Sequence, residues 1–389
     1  MAAAMDWLRQ RLAEQGGRAG FAPVMDWLLN DPTHGFYGSG RVRFGPQGDF
    51  VTSPSLGSAF GELLLRQLIP LLAALAARTE GPIRLLEWGP GEGQLAAQLG
   101  QGLLELDPPW LQRLELVLVE TSAPLRDRQR QRLVPLALPH RWATAAELAA
   151  APTPGLVLAH ELIDALPVER FLLHQGRWHC LEVVLAADGG IGWAPGAPLG
   201  AETLAVLAGL GLPADGGGRP EGWTSEWCPA LAPWLAQVRL GLSQGWLLAI
   251  DYGHPAARYY GPQRDGGTLL ANRGQLSCQQ LLQDPGDWDL TAHVCITHLE
   301  QAAAAAAWHW RGASLQGEAL LQLGLAAEIS ALSAPGPLDL PQRLARREEL
   351  LRLVDPYLLG GFWWMLLATE GSCNFQADGE GLTRPGWWP

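Results

Sequence analysis

Apolar positions along this chain follow two rhythms, one helical and one of short unbroken runs. The helical rhythm is clearest from Phe60 to Arg78, where Leu63, Leu64, Leu68, Leu71, Leu72 and Leu75 recur at three- and four-residue spacing. That spacing puts them on one face of a helix. Short apolar runs then appear at 83–87, 114–120 and 156–160, separated by stretches with helical spacing. Strands covered on both faces read this way, and their alternation with helices predicts an α/β fold with a parallel sheet. Gly245–Tyr252 is the next expected strand, after a helix over Leu231–Leu242, and 362–370 the last. Residues 1–30 look helical, and 31–56, rich in Gly and Pro, look like a loop. Polar, Gly/Pro-rich stretches around 187–223 and 254–292 break the alternation and read as insertions. The alanine run Ala302–Ala307 has high helix propensity. The expected organisation is an N-terminal helical cap and covering loop over 1–60. A core over 61–389 follows, with insertions near 176–225 and 254–292.

Chemistry-bearing residues gather at the ends of the expected strands. The first run reads Leu85-Leu86-Glu87-Trp88-Gly89-Pro90-Gly91-Glu92-Gly93-Gln94. Glycines at a strand-to-helix turn let a ligand approach the backbone closely. A dinucleotide fingerprint needs its third glycine at Gln94, which disfavours a dehydrogenase. The spacing here is E-x-G-x-G-x-G, a form associated with S-adenosylmethionine methyltransferases. On that reading Glu87 takes the cationic amino end of the cofactor, and Gly89, Gly91 and Gly93 clear its path. A tight turn with no ligand is the alternative. The second strand ends at Glu120, placed to accept the hydrogens of ribose hydroxyls, or else simply a solvated strand end. The third runs into His160-Glu161-Leu162-Ile163-Asp164, putting Glu161 and Asp164 beside the ligand crevice unless the string opens a helix. It is not a zinc-protease motif, because Asp164 stands where H-E-x-x-H needs His. Asp251 closes the fourth strand.

Several strings in order resemble the MidA-like S-adenosylmethionine-dependent methyltransferases, which include a mitochondrial complex I assembly factor that methylates arginine. They are Asp31-Pro32-Thr33-His34-Gly35-Phe36-Tyr37, Gly48-Asp49-Phe50-Val51-Thr52-Ser53-Pro54 and the glycine turn. Glu120-Thr121-Ser122, Asp164-Ala165-Leu166-Pro167-Val168, Ile250-Asp251-Tyr252-Gly253, Gly267-Thr268-Leu269 and Asp289-Leu290-Thr291-Ala292-His293-Val294 follow. The resemblance implies a Rossmann-like class I methyltransferase fold and S-adenosylmethionine as cofactor. It also implies a protein acceptor bearing an arginine, and a setting in assembly of a respiratory-type complex. Thr52, Glu87, Gly89, Gly91, Gly93, Glu120 and His160 are then the cofactor-binding candidates. The catalytic candidates are Glu161, Asp164, Asp251 and His293. Carboxylates fix the plane of a guanidinium and localise its charge. His293 is either a proton acceptor or a structural histidine. The chain departs from the family at Ser55, His160, Asn272, Gln275 and Cys295. Those changes fit a second reading, an assembly or adaptor protein that keeps the cofactor fold and has lost catalysis.

Composition narrows the picture further. The net charge of −12 argues against nucleic-acid partners. All 27 basic residues are arginine, so a P-loop lysine and a Schiff-base lysine are both excluded. Such usage fits a G+C-rich, bacterial genome. Five widely spaced cysteines give neither a zinc pattern nor a disulfide framework, and a cytoplasmic setting is expected. No metal and no membrane span are expected. Among the 18 tryptophans, Trp387-Trp388 reads as an exposed pair suited to docking on a partner.

Overall fold

The computed structural model describes residues 2–334 and 336–372, so the Trp387-Trp388 pair lies outside the described residues. The chain forms two compact units, each built from three segments. One comprises Met1–Arg43, Ile163–Trp234 and Gly253–Ala302, the other Phe44–Leu162, Leu235–Tyr252 and Ala303–Pro389.

The second unit is built on a seven-stranded sheet. Its strands in chain order are β1 (Ile83–Trp88), β2 (Leu114–Val119), β3 (His140–Trp142), β4 (Thr153–His160), β5 (Leu242–Asp251), β6 (His309–Leu315) and β7 (Trp363–Ala368). They lie in the spatial order β6-β7-β5-β4-β1-β2-β3. The five from β3 to β5 run parallel, and β7 and β6 add an antiparallel edge. The direction of winding reverses between β1 and β4, and an open α/β sheet places its ligand crevice outside the strand ends at such a point. The apolar runs seen in the sequence arise because helices cover these strands. Ile83, Leu85, Leu156, Leu158, Leu248 and Ile250 pack with α1 (Ala59–Arg78) and α2 (Gln94–Leu106) in one core. α1 is long and apolar enough to cross a membrane by length and composition, yet most of it is buried inside the structure. α3 (Ala123–Leu133) follows β2.

The other unit holds a five-stranded antiparallel sheet, formed by 18–19, 169–174, 177–185, 191–198 and 224–227. In the sequence this region shows only a polar, Gly/Pro-rich interruption around 187–223. The strands Glu169–His174 and Arg177–Leu185 join through Gln175 and Gly176, both at positive φ (51° and 69°), as a two-residue hairpin turn requires. Phe171, Trp178 and Trp223 fill the core of this unit in edge-on and tilted contacts. A three-stranded sheet (270–273, 276–278 and 289–291) and the short pair 253–254 with 294–295 complete it.

Candidate functional site

The glycine turn follows β1 directly. Gly89, Gly91 and Gly93 all have positive φ (69°, 52° and 76°), which side chains rarely tolerate. The Gly89 N–H donates to the carbonyl of Val119 at 3.0 Å, tying the turn to the end of β2. A Cβ at Gly91 would stand 3.0 Å from the Phe44 ring, and one at Gly93 3.4 Å from Cγ of Gln129. The turn is therefore closely packed on two sides: Phe44, itself edge-on to Phe50, lies against Gly91, and α3 lies against Gly93.

Four acids and a histidine stand at the carboxyl ends of the parallel strands. Glu87 is buried, and burial pushes its carboxyl up to about 8 against the opposing hydrogen bond from the backbone of Ala96. Its Oε2 has no hydrogen-bond partner among the described residues. A buried carboxylate oxygen with nothing to satisfy it is suited to a cationic ligand group. His160 ends β4, and burial depresses its imidazole to about 3, so it is neutral at pH 7. Its ring lies 5.2 Å from that of Phe60. Glu161 follows with φ of 51°, a left-handed conformation uncommon outside glycine, while its N–H donates to Ile250 at 2.9 Å. Asp251, fully buried, ends β5 and accepts the N–H of Tyr252 at 2.9 Å.

Glu120 follows β2. Its Oε1 accepts the N–H of Ser122 at 2.7 Å and its Oε2 the side-chain amide of Gln129 at 3.2 Å. Burial raises its carboxyl, and these hydrogen bonds oppose that rise. Thr52 caps the short helix Ser53–Leu56, where its backbone N–H donates to the Ser55 hydroxyl at 3.0 Å. Ser55 thus closes a capping box with Thr52. Gln98 of α2 donates to the carbonyls of Pro54 and Gly57 at 3.0 and 2.7 Å, fastening that helix.

Asp164 and His293 belong to the other unit, since the chain crosses between units at Leu162 and Ile163. The Asp164 carbonyl accepts the N–H of Ala292 at 2.9 Å, so these two candidates are neighbours through the backbone. The His293 N–H donates to the Thr268 hydroxyl at 3.0 Å. Its imidazole is lowered to about 4, chiefly by burial and then by His254, whose ring centroid is 4.9 Å away. Beneath them sits Glu226, which no sequence pattern singles out. Its Oε1 accepts from the hydroxyls of Tyr259 and Thr268 and from the Thr268 N–H at 2.7–2.8 Å. Asn272 bonds Thr291 and Ser277, Gln275 occupies a positive-φ turn position, and Cys295 is buried in a strand. Each departure from the family pattern has a local structural partner or position. Among the described residues no group of three or more His, Cys, Asp or Glu is arranged to hold a metal.

A mainly parallel sheet with its winding reversed beside an acid-led glycine turn, and a second acid after the neighbouring strand, defines a nucleoside-cofactor enzyme of the Rossmann-like methyltransferase class. Residues 63–314 match the family model described as "Putative S-adenosyl-L-methionine-dependent methyltransferase", and the chain belongs to that family. It is 29% identical to the rat protein arginine methyltransferase NDUFAF7, mitochondrial, over 94% of this chain and 86% of that one. The fruit-fly NDUFAF7 homolog is 28% identical over 87% of this chain and 78% of its own. A crystal structure from Burkholderia thailandensis, bound to S-adenosyl-homocysteine, superposes with a TM-score of 0.81 at 28% identity. The match covers 94% of this chain and 92% of that one. The protein is an S-adenosylmethionine-dependent methyltransferase.

Proposed function

We propose that the methyl acceptor is an arginine guanidinium on a protein, in the cytoplasm, and that the modified protein is a subunit of a respiratory-type complex. The observation that carries this reading is the likeness to the rat arginine methyltransferase across nearly the whole chain. The carboxylates at the strand ends supply matching chemistry.

When bound, S-adenosylmethionine supplies an electrophilic methyl group, and the chain's own residues do the rest. Glu87 takes the cofactor's ammonium, which answers its unsatisfied Oε2. Glu120 takes the ribose hydroxyls, with Thr52, His160 and the glycines Gly89, Gly91 and Gly93 shaping the remaining walls. Glu161 and Asp251 hold the guanidinium fork through charge-assisted hydrogen bonds, drawing its charge away from the attacking nitrogen. The left-handed backbone at Glu161 aims that carboxylate at a cost of about 1–2 kcal/mol, a strain that persists where function requires it. Asp164 and His293 are further catalytic candidates, carried by the other unit, and His293 is neutral at pH 7 and so able to accept a proton.

The reading is tested by comparing the proteomes of cells with and without the gene. Mass spectrometry is expected to find one or a few proteins whose arginine methylation disappears in the deletion and returns on complementation. Unchanged arginine methylation in the deletion strain would overturn the acceptor assignment.

A further inference from the structure

Gln129 lies in the middle of α3, in the polar stretch Arg126–Arg132, yet it is fully buried. Its amide joins three separate elements. The side-chain nitrogen donates to the Gly91 carbonyl at 2.7 Å and to Glu120 Oε2 at 3.2 Å. Its oxygen accepts the indole N–H of Trp142, at the end of β3, at 2.7 Å. Both amide hydrogens have an acceptor, and the orientation admits no flip. Indole can only donate, so the oxygen must face Trp142 and the nitrogen must face the carbonyl and the carboxylate. Gln129 packs beside Gly93, where a Cβ would make ordinary van der Waals contact with its Cγ and Cα at 3.4 and 3.6 Å.

We propose that Gln129 is a positioning residue for cofactor recognition: its amide locks the Glu120 carboxylate to the glycine turn, fixing the oxygens that receive the ribose hydroxyls. The inference rests on the reading that Glu120 binds those hydroxyls. Glu120 has one oxygen held by the Ser122 N–H and the other by Gln129. An ionised carboxylate offers about four lone-pair sites, and the directions of those left for the ligand are set by the held ones, to which the Thr121 backbone also contributes. The Gln129 bond also favours the charged form of Glu120 against the burial that opposes it. A glutamate at 129 has the same shape and no amide hydrogens, and it would set a carboxylate against a carbonyl and a second carboxylate.

The test is calorimetric titration of the full chain with S-adenosylhomocysteine and with its 2′-deoxyribose counterpart, from pH 5 to pH 8. Wild type, Glu120→Ala, Gln129→Met, Gln129→Glu and Trp142→Phe are compared. Wild type should prefer the ribose form by about tenfold, the loss expected when a hydrogen-bonded hydroxyl is removed from a charged acceptor. Gln129→Met should bind S-adenosylhomocysteine about tenfold more weakly and lose most of that preference. Its affinity should also begin to fall at a higher pH than in wild type, because Glu120 would hold its proton longer. Gln129→Glu should be weaker still. Trp142→Phe frees the amide oxygen without touching the donors and should fall between wild type and Gln129→Met, which keeps the proposal open to refutation if the Gln129 variants do not fold. A Gln129→Met or Trp142→Phe protein with wild-type affinity, ribose preference and pH profile overturns the proposal. If Glu120→Ala itself keeps affinity and preference, the ribose reading of Glu120 falls, and this proposal with it.

Discussion

At the scale of single residues, the site is marked by ionisable groups held in the form that costs least when buried. Glu87 is the clearest case, with a carboxyl raised to about 8 by burial alone. Between an ordinary carboxylate pKa and about 8 the folded state keeps a proton that the unfolded state has released. Stability from this residue is therefore present at low pH and lost as pH rises through that window. Glu87→Gln, which is always neutral, should escape that loss. The variant should melt higher than wild type at pH 8, with the difference shrinking toward pH 5, in scans of the ligand-free protein. The same substitution should weaken S-adenosylhomocysteine about tenfold or more, as loss of a charged hydrogen-bond acceptor predicts. A variant with unchanged pH dependence and unchanged affinity would remove Glu87 from the site. Glu87 and Glu120 were legible as candidates in the sequence because each ends an apolar run. Gln129 and Glu226 were not. A glutamine among arginines on a polar helix looks solvated, and a glutamate within Thr224–Trp227 looks like the outward face of a strand. Their burial is decided by partners distant in the chain.

At the scale of elements, the parallel strands were legible and the antiparallel ones mostly were not. β1, β2, β4 and β5 are covered on both faces, so each is written as an unbroken apolar run. β6 (His309–Leu315) is an edge strand, half-covered, and its sequence His-Trp-Arg-Gly-Ala-Ser-Leu carries no period of its own. The sheet in the other unit was missed for a related reason. Its strand Ile191–Pro198 is rich in Gly and Pro, and the Gln175-Gly176 turn that should have announced a hairpin lacks the usual Asn or Asp. One glycine at this scale is under strict demand. Gly245 lies at the register shift between β5 and β4 with φ of 145°, and a Cβ there would stand 1.7 Å from the Gly155 carbonyl oxygen. Neither backbone can move without parting the central strands. Gly245→Ala should therefore cost about 3 kcal/mol or more in denaturant unfolding, in the range of overpacked core sites. Gly218→Ala, also at positive φ (77°) but with open space around it, should cost about 1 kcal/mol, the backbone strain alone. Equal effects of the two substitutions would show that the close strand approach is not what demands glycine at 245.

At the scale of the whole molecule, the two units are threaded through one another in sequence, so neither is a contiguous stretch of chain. The cofactor-binding candidates Thr52, Glu87, Gly89, Gly91, Gly93, Glu120 and His160 all belong to the unit with the seven-stranded sheet, and so do Glu161 and Asp251. Asp164 and His293 are carried by the other. Spacing alone does not reveal this division, since Glu161 and Asp164 are three residues apart and yet on different units. The proposed reaction moves a methyl group from S-adenosylmethionine to an arginine of a protein, with Glu161 fixing the acceptor. The measurement that tests it most directly is transfer of labelled methyl from S-adenosylmethionine to proteins in a lysate of cells lacking the gene, followed by hydrolysis and amino-acid analysis. Purified wild-type protein should yield labelled methylarginine, and Glu161→Gln about a hundredfold less, with S-adenosylhomocysteine binding unchanged. Tight cofactor binding by wild type with no labelled arginine, or full transfer by Glu161→Gln, would contradict it.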